Sequence, residues 1–93
     1  MILICARLTI ADGKKQKSER VREEYLKYDE ALNQIRIAVN EGYEPTFFSN
    51  SEFNHSITFL KYGRGDEAIM ILSVRGTREE IVKLEEDPAL KKY

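Results

Sequence analysis

The chain has 93 residues, of which 15 are basic and 16 acidic, so its formal net charge is -1 at neutral pH. This balance excludes a global positive field that would attract nucleic acid or an anionic membrane. The length predicts one domain, residues 1–93, with a modest core. Abundant Lys, Glu and Arg beside a single cysteine is also compatible with a thermophilic source.

The cysteine content and the N-terminus indicate a cytoplasmic protein. Cys5 is the only cysteine, so the chain cannot form an internal disulfide, which is typical of reducing compartments. The apolar run 1–6 has no basic region before it, is broken by Arg7 and is too short to span a bilayer. We therefore expect no membrane partner.

The first ten residues predict a strand in the interior of a sheet. Every even position is apolar, namely Ile2, Ile4, Ala6, Leu8 and Ile10. A period of two with one fully apolar face is typical of a β-strand. Leu3 and Cys5 make the opposite face partly apolar as well, which suits a strand covered on both faces.

Residues 18–41 predict one long amphipathic helix. The apolar residues recur at intervals of four and three, the spacing of one helix face, at Val21, Tyr25, Tyr28, Leu32, Ile35 and Val39. Ser18 is the predicted N-cap, and Gly42 is the predicted left-handed residue after the helix.

The rest of the chain predicts three strands of an antiparallel meander. Pro45 lacks an amide donor, so the first of them, residues 43–48, is expected either to lie at an edge or to start late, at Thr46. Residues 55–62 form the next, and the glycine-containing segment 63–66 predicts a hairpin turn. Residues 68–74 are apolar on both faces, which predicts a strand in mid-sheet.

A second, short helix is predicted to follow. Thr77 and Glu80 have the spacing of a capping box, and Asp87-Pro88 is expected to end the helix. The predicted order is β-α-β-β-β-α. The fold class is therefore α+β, a single two-layer domain with a mainly antiparallel four-stranded sheet, one long helix and one short helix.

One face of this predicted sheet carries apolar residues that need cover. Exposure of Leu3, Cys5 and one side of 68–74 to water would lower the stability of the fold by several kcal/mol, at about 25 cal/mol per Å² of apolar surface. The second helix is too short to cover them. A second copy of the sheet would do so, and we therefore predict a homodimer.

Candidate ligand-binding residues are sparse. A pocket between the long helix and the sheet would draw its polar groups from Arg7, Tyr25, Tyr28 and His55. His55 is the only histidine and has no Cys or His partner at ligand spacing, so we expect no metal site and no cofactor. No catalytic motif is found, which favours a non-enzyme.

A local basic cluster lies between residues 14 and 22. It comprises Lys14, Lys15, Lys17, Arg20 and Arg22. Such a cluster could bind the phosphates of nucleic acid. Glu19 and Glu23 offset it, so a solvated helix end explains it better and nucleic acid is disfavoured as a partner.

Segments 71–80 and 86–89 resemble the YciI-like proteins of the dimeric α/β-barrel superfamily, in which a strand enters a short helix that closes on an Asp-Pro step. The resemblance lies in the C-terminal part of the chain and implies a ferredoxin-like sheet and dimerisation. That family has a histidine at the start of its first helix, where this chain has residues 17–20 without one. No active-site residue is therefore carried over.

Three functions follow from these observations. The first is a cytoplasmic protein that acts by self-association or by binding a protein partner. The second is a small-molecule-binding or enzymatic dimer of the α/β-barrel type. The third is a nucleic-acid binder through residues 14–22.

Overall fold

The computed structural model describes residues 1–12, 15–63 and 68–91. In chain order the elements of these residues are β1 (Ile2–Asp12), β2 (Lys15–Leu26), α1 (Tyr28–Asn40), β3 (Glu44–Asn50), β4 (His55–Tyr62), β5 (Ala68–Arg75) and α2 (Arg78–Glu85). Neighbouring strands pair antiparallel throughout, in the order β2-β1-β5-β4-β3. The α+β class is thereby confirmed, although the described residues form a sheet of five strands and not the four predicted.

The predicted long helix is wrong over residues 18–27. Ser18 caps no helix, because it lies within β2 and pairs with Thr9 of β1. The helix α1 begins at Tyr28 and has 13 residues, so the order is β-β-α-β-β-β-α and not β-α-β-β-β-α. The ladder with β1 pairs the backbone polar groups of this edge strand that face β1, and this tertiary pairing outweighs the local helical spacing.

The end of α1 matches the prediction at Gly42. Its φ of 106° lies in the left-handed region. The Gly42 amide donates to the Val39 carbonyl at 3.1 Å, and the Tyr43 amide donates to the Ala38 carbonyl at 3.0 Å. This pair of bonds is a Schellman motif, which satisfies carbonyls that the last helical turn leaves free.

The predicted capping box of α2 is confirmed. The Thr77 hydroxyl accepts a bond from the Glu80 amide at 3.2 Å, and the Glu80 carboxylate accepts one from the Thr77 amide at 2.9 Å. The backbone bond from Thr77 lowers the pKa of Glu80. The helix ends at Glu85, before Asp87-Pro88 as predicted.

The strand positions also follow the predictions. β1 and β5 lie inside the sheet, with β5 at its centre, and the proline-containing β3 lies at an edge. The Gly63 amide donates to the Ala68 carbonyl at 2.8 Å where β4 and β5 come together. Most of the predicted turn, residues 64–66, lies outside the described residues.

Both helices pack on the same face of the sheet, which we call the covered face. Ala31, Ile35 and Ala38 of α1 and Ile81 and Leu84 of α2 belong to one buried cluster. β1, β4 and β5 contribute alternate residues to this cluster, and β2 contributes Leu26; the strand members are Ile2, Ile4, Leu26, Ile57, Phe59, Leu72 and Val74. This cluster is the core of the fold.

A polar seam links α1 to the segment after α2. Two guanidinium nitrogens of Arg36 donate to the Asp87 carboxylate, at 2.7 and 3.3 Å. These bonds lower the pKa of Asp87, whose side chain is only 9% exposed. Beside this pair, the Lys83 ammonium lies 4.4 Å from the centre of the Tyr28 ring, a cation–π distance.

Candidate functional site

The face of the sheet opposite the helices, which we call the open face, is the candidate site. Within residues 1–12, 15–63 and 68–91, neither helix packs on it, because both belong to the core of the covered face. Successive strand residues alternate between the two faces, so strand register assigns each side chain. The open face divides into two halves of different chemistry.

The half formed by β5, β4 and β3 is mainly apolar, although Glu44 of β3 pairs with Leu60 and lies on the same face. Leu60 pairs with Ile71 and Tyr62 with Ile69, while Phe47 pairs with Thr58. Tyr62 is 60% exposed and Phe47 62%. Neighbouring apolar side chains of this kind mark interaction surfaces more often than isolated ones. We call Phe47, Leu60, Tyr62, Ile69 and Ile71 the apolar half.

The other half, formed by β2, β1 and one end of β5, holds a cleft of about 220 Å³. Cys5 of β1 and Ser73 of β5 are direct partners in the ladder and form its floor. We call it the arginine cleft, and its full lining is Leu3, Cys5, Arg7, Arg20, Glu23, Ser73 and Arg75.

A β-bulge places Arg20 in this cleft. Ala6 pairs with Arg22 and Arg7 pairs with Arg20, so Val21 is an extra residue in β2. Because side chains alternate, an unbroken ladder would put Arg20 on the same face as Arg22. The bulge resets the alternation and brings Arg20 beside Arg7, a re-aiming of side chains that bulges commonly provide near sites.

The cleft is positively charged, since three guanidinium groups face one carboxylate. Arg20 is paired with Glu23 at 2.6 Å. In the described part of the chain, no carboxylate lies within 4.0 Å of the nitrogens of Arg7 or Arg75. Two guanidinium groups are therefore available to an anion.

A second, smaller cleft of about 130 Å³ lies between α1 and the sheet. Its polar groups include Arg22, Gln34 and Glu41. Arg22 is engaged there, because it donates to the Glu24 carboxylate and, at 3.1 Å, to the Gln34 amide oxygen. This is the place where the sequence predicted a pocket, but none of the four ligand-binding candidates lines it.

The four ligand-binding candidates do not meet in one pocket. Arg7 lines the arginine cleft, whereas Tyr25 lies on the open face, paired with Leu3, and is not part of the cleft lining. Tyr28 lies at the start of α1, where burial, followed by the Asp87 carboxylate, raises its pKa. His55 begins β4, and its ring bonds the Asn50 side chain.

The basic segment is likewise divided. Arg20 belongs to the open face and Arg22 to the cleft under α1. Lys17 is exposed on β2. Lys15 opens that strand, and Lys14 lies outside the described residues. The described members therefore form no single basic surface.

Sequence reasoning did not nominate Arg75, Ser73 or Glu23 for a site. The period-two alternation of 68–75 places Arg75 and Ser73 on one face. Their position beside Cys5 depends on the pairing of β1 with β5, which a single sequence does not specify.

The described ranges contain no grouping of three or more His, Cys, Asp or Glu side chains that could hold a metal ion. No helix among them is long and apolar enough to cross a membrane. In comparisons with known proteins, no family model, no curated protein and no solved structure matches this chain.

Proposed function

We propose that the protein acts by self-association, with two copies packed open face against open face. The observation that carries this proposal is the apolar half, which has no cover within the described residues. Leu60, Ile69 and Ile71 occupy the centre of the sheet, where a partner would bury them most completely.

The size of the open face supports this arrangement. Five strands about 4.8 Å apart, with about eight residues rising about 3.3 Å each, give a face of about 24 by 26 Å, or about 600 Å². Standard interfaces bury about 800 Å² per partner. Protruding side chains make the accessible area of a sheet face larger than its flat area. The accessible area of the whole open face therefore approaches that of a standard interface, whereas the area of the apolar half alone does not.

A second copy is the occupant that best fits this surface. Two antiparallel sheets pack face to face about 10 Å apart with interdigitated side chains. A two-fold axis would use the same patch on both copies, and an axis that passes through the apolar half would place apolar side chains against apolar side chains. The charged edge strand β2 disfavours growth of the sheet edge to edge.

Sedimentation velocity across a concentration series tests this proposal with two matched variants. Phe47→Glu introduces a charge into the apolar half and is expected to give a monomer. Phe53→Glu introduces the same charge on a side chain that is 92% exposed in the loop after β3, and is expected to leave the dimer intact. A wild-type monomer at all concentrations, or equal effects of the two variants, would contradict the proposal.

A second function, binding of a small molecule, is favoured by the arginine cleft. Small-molecule binding by a dimer is also what the resemblance to YciI-like proteins implies, and the relationship to that family is itself part of this proposal. The element order differs from the βαββαβ order of ferredoxin-like domains. The proposal therefore takes only dimerisation from the resemblance, and no catalytic role.

Nucleic-acid binding has the least support. Arg20 and Arg22 lie on opposite faces of β2, and each is paired with a carboxylate.

An intracellular location is proposed from the single cysteine.

A further inference from the structure

We infer that the arginine cleft binds the phosphate group of a small metabolite. This inference deepens the small-molecule function proposed above. It is carried by three arginines from three different strands, β1, β2 and β5, that line one cleft around Cys5 and Ser73.

The side chains present suit a tetrahedral oxyanion. A guanidinium group donates two parallel hydrogen bonds to a carboxylate or phosphate and keeps its charge at any physiological pH. Arg7 and Arg75 stand four residues apart along the β1–β5 ladder, since Arg7 pairs with Ile71. They therefore approach the cleft from its two ends, and a phosphate above Ser73 would lie between them.

The charge of the cleft favours phosphate over a single carboxylate. Glu23 is already paired with Arg20, which leaves the positive charges of Arg7 and Arg75 to the ligand. A phosphate monoester carries close to two negative charges at neutral pH and has three acceptor oxygens. A monocarboxylate would neutralise one of the two arginines.

The dimensions favour a small ligand. The cleft volume of about 220 Å³ is below the range of about 300–1,000 Å³ that is typical of sites for drug-sized molecules. The cleft is open in the single chain. A second copy on the open face would enclose it and remove water, which strengthens charge-assisted hydrogen bonds.

Titration of the isotopically labelled full chain with inorganic phosphate at constant ionic strength, followed by NMR, tests the inference. We expect saturable shifts of the Ser73 amide and the Arg7 and Arg75 side chains, with a dissociation constant of about 1 mM or below. Shifts spread over the basic residues of the whole surface, with no saturation, would overturn it.

Matched variants distinguish phosphate binding in the arginine cleft from attraction by the positive charges of the whole surface. Arg75→Gln is expected to weaken phosphate binding about tenfold, because a charge-assisted pair is lost. Arg75→Lys keeps the charge but loses the planar fork, and we expect weaker binding than wild type here too. Arg78→Gln removes the same charge from the exposed start of α2 and should leave the dissociation constant unchanged. Equal losses for Arg75→Gln and Arg78→Gln would overturn the inference.

Two further measurements identify the class of ligand and test phosphate binding independently of self-association. Tighter binding of malonate than of phosphate would overturn the phosphate assignment. Sedimentation of the same samples reports the assembly independently. A monomer that binds phosphate in the cleft would refute self-association alone, and a dimer without binding would refute the phosphate site alone.

Discussion

The covered and open faces of the sheet are built from adjacent residues of the same strands, yet they differ in what surrounds them. On β4, Phe59 is fully buried beneath the helices, while Leu60 beside it is half-buried on the open face. Both strand faces are apolar at the centre of the sheet, but helices cover only one of them. The chain therefore has more apolar side chains at the centre of the sheet than its own core buries.

The two faces also treat charge differently. At the edge of the covered face, Arg36 is paired with a nearly buried carboxylate, Asp87, within the same chain. On the open face, Arg7 and Arg75 have no such partner among the described residues. The covered face therefore pairs this charge within one chain, whereas the open face has apolar side chains that a second copy can cover and arginines that an anion can pair.

We expect the largest change in the free energy of unfolding at Phe59, and a much smaller one at its neighbour Leu60. Phe59→Ala should lower the free energy of unfolding by about 3–5 kcal/mol, because it leaves a cavity in the core. Leu60→Ala should lower it by about 1 kcal/mol or less when the chain is monomeric. Urea unfolding of dilute samples measures both, and similar losses would mean that the open face is packed within a single chain.

The next largest effect concerns the seam that closes the covered face. The bonds from Arg36 place the pKa of Asp87 below its unfolded value, so they stabilise the fold above that value and are lost as the pH falls through the folded pKa. Asp87→Asn should therefore lower the free energy of unfolding at pH 7, but by less than Phe59→Ala, because Arg36 is 55% exposed and solvent screens the pair.

The pH dependence and a neighbouring residue provide the controls for this variant. The difference between wild type and Asp87→Asn should shrink below about pH 4, as the carboxylate protonates. Glu86→Gln, which changes an exposed carboxylate beside it, should have little effect. A constant difference from pH 7 to pH 3 would exclude the ion pair as its cause.

A smaller effect is expected at the turn that leads from α1 on the covered face to the edge strand β3. Gly42→Ala should cost about 1 kcal/mol, because an L-residue is disfavoured at a φ of 106°. The added Cβ would meet only Lys61 Cε, at 3.7 Å, so backbone conformation is the cause. Thermal unfolding measures the loss, and a stabilised Gly42→Ala variant would contradict this reasoning.

The smallest expected effect is a change in a labelling rate. Cys5 is the only cysteine and lies on the open face, half-buried in the cleft floor. Its alkylation by a maleimide should slow as protein concentration rises, because a second copy would cover it. In Phe47→Glu the rate should be independent of concentration, and a concentration-independent rate in the wild type would count against the interface.

Much of the covered face was predictable from local sequence signals. The alternation of Ile2 and Ile4, the capping box at Thr77 and the left-handed Gly42 each depend on neighbouring residues alone. The strand β2 was not predictable in this way. Its Lys, Arg and Glu protect a sheet edge from other chains, and the same residue types favour helices.

The candidate site depends on pairing between distant segments, which explains why the sequence located only part of it. Arg7 was a ligand candidate, and Arg20 was nominated for nucleic acid. Their meeting requires the β1–β2 hairpin and its bulge at Val21. Arg75 joins them only through the register of β1 with β5. Single-residue signals do not encode that register.

The most direct test of the open face as an interface is native mass spectrometry of gently purified protein. We expect an assembly of twice the 10.8 kDa chain mass, and a phosphorylated small molecule bound to it would identify the ligand of the arginine cleft. Phe47→Glu should give the single-chain mass under the same conditions. If the wild-type protein is detected only as a single chain at every concentration, the open face is not an interface between two copies.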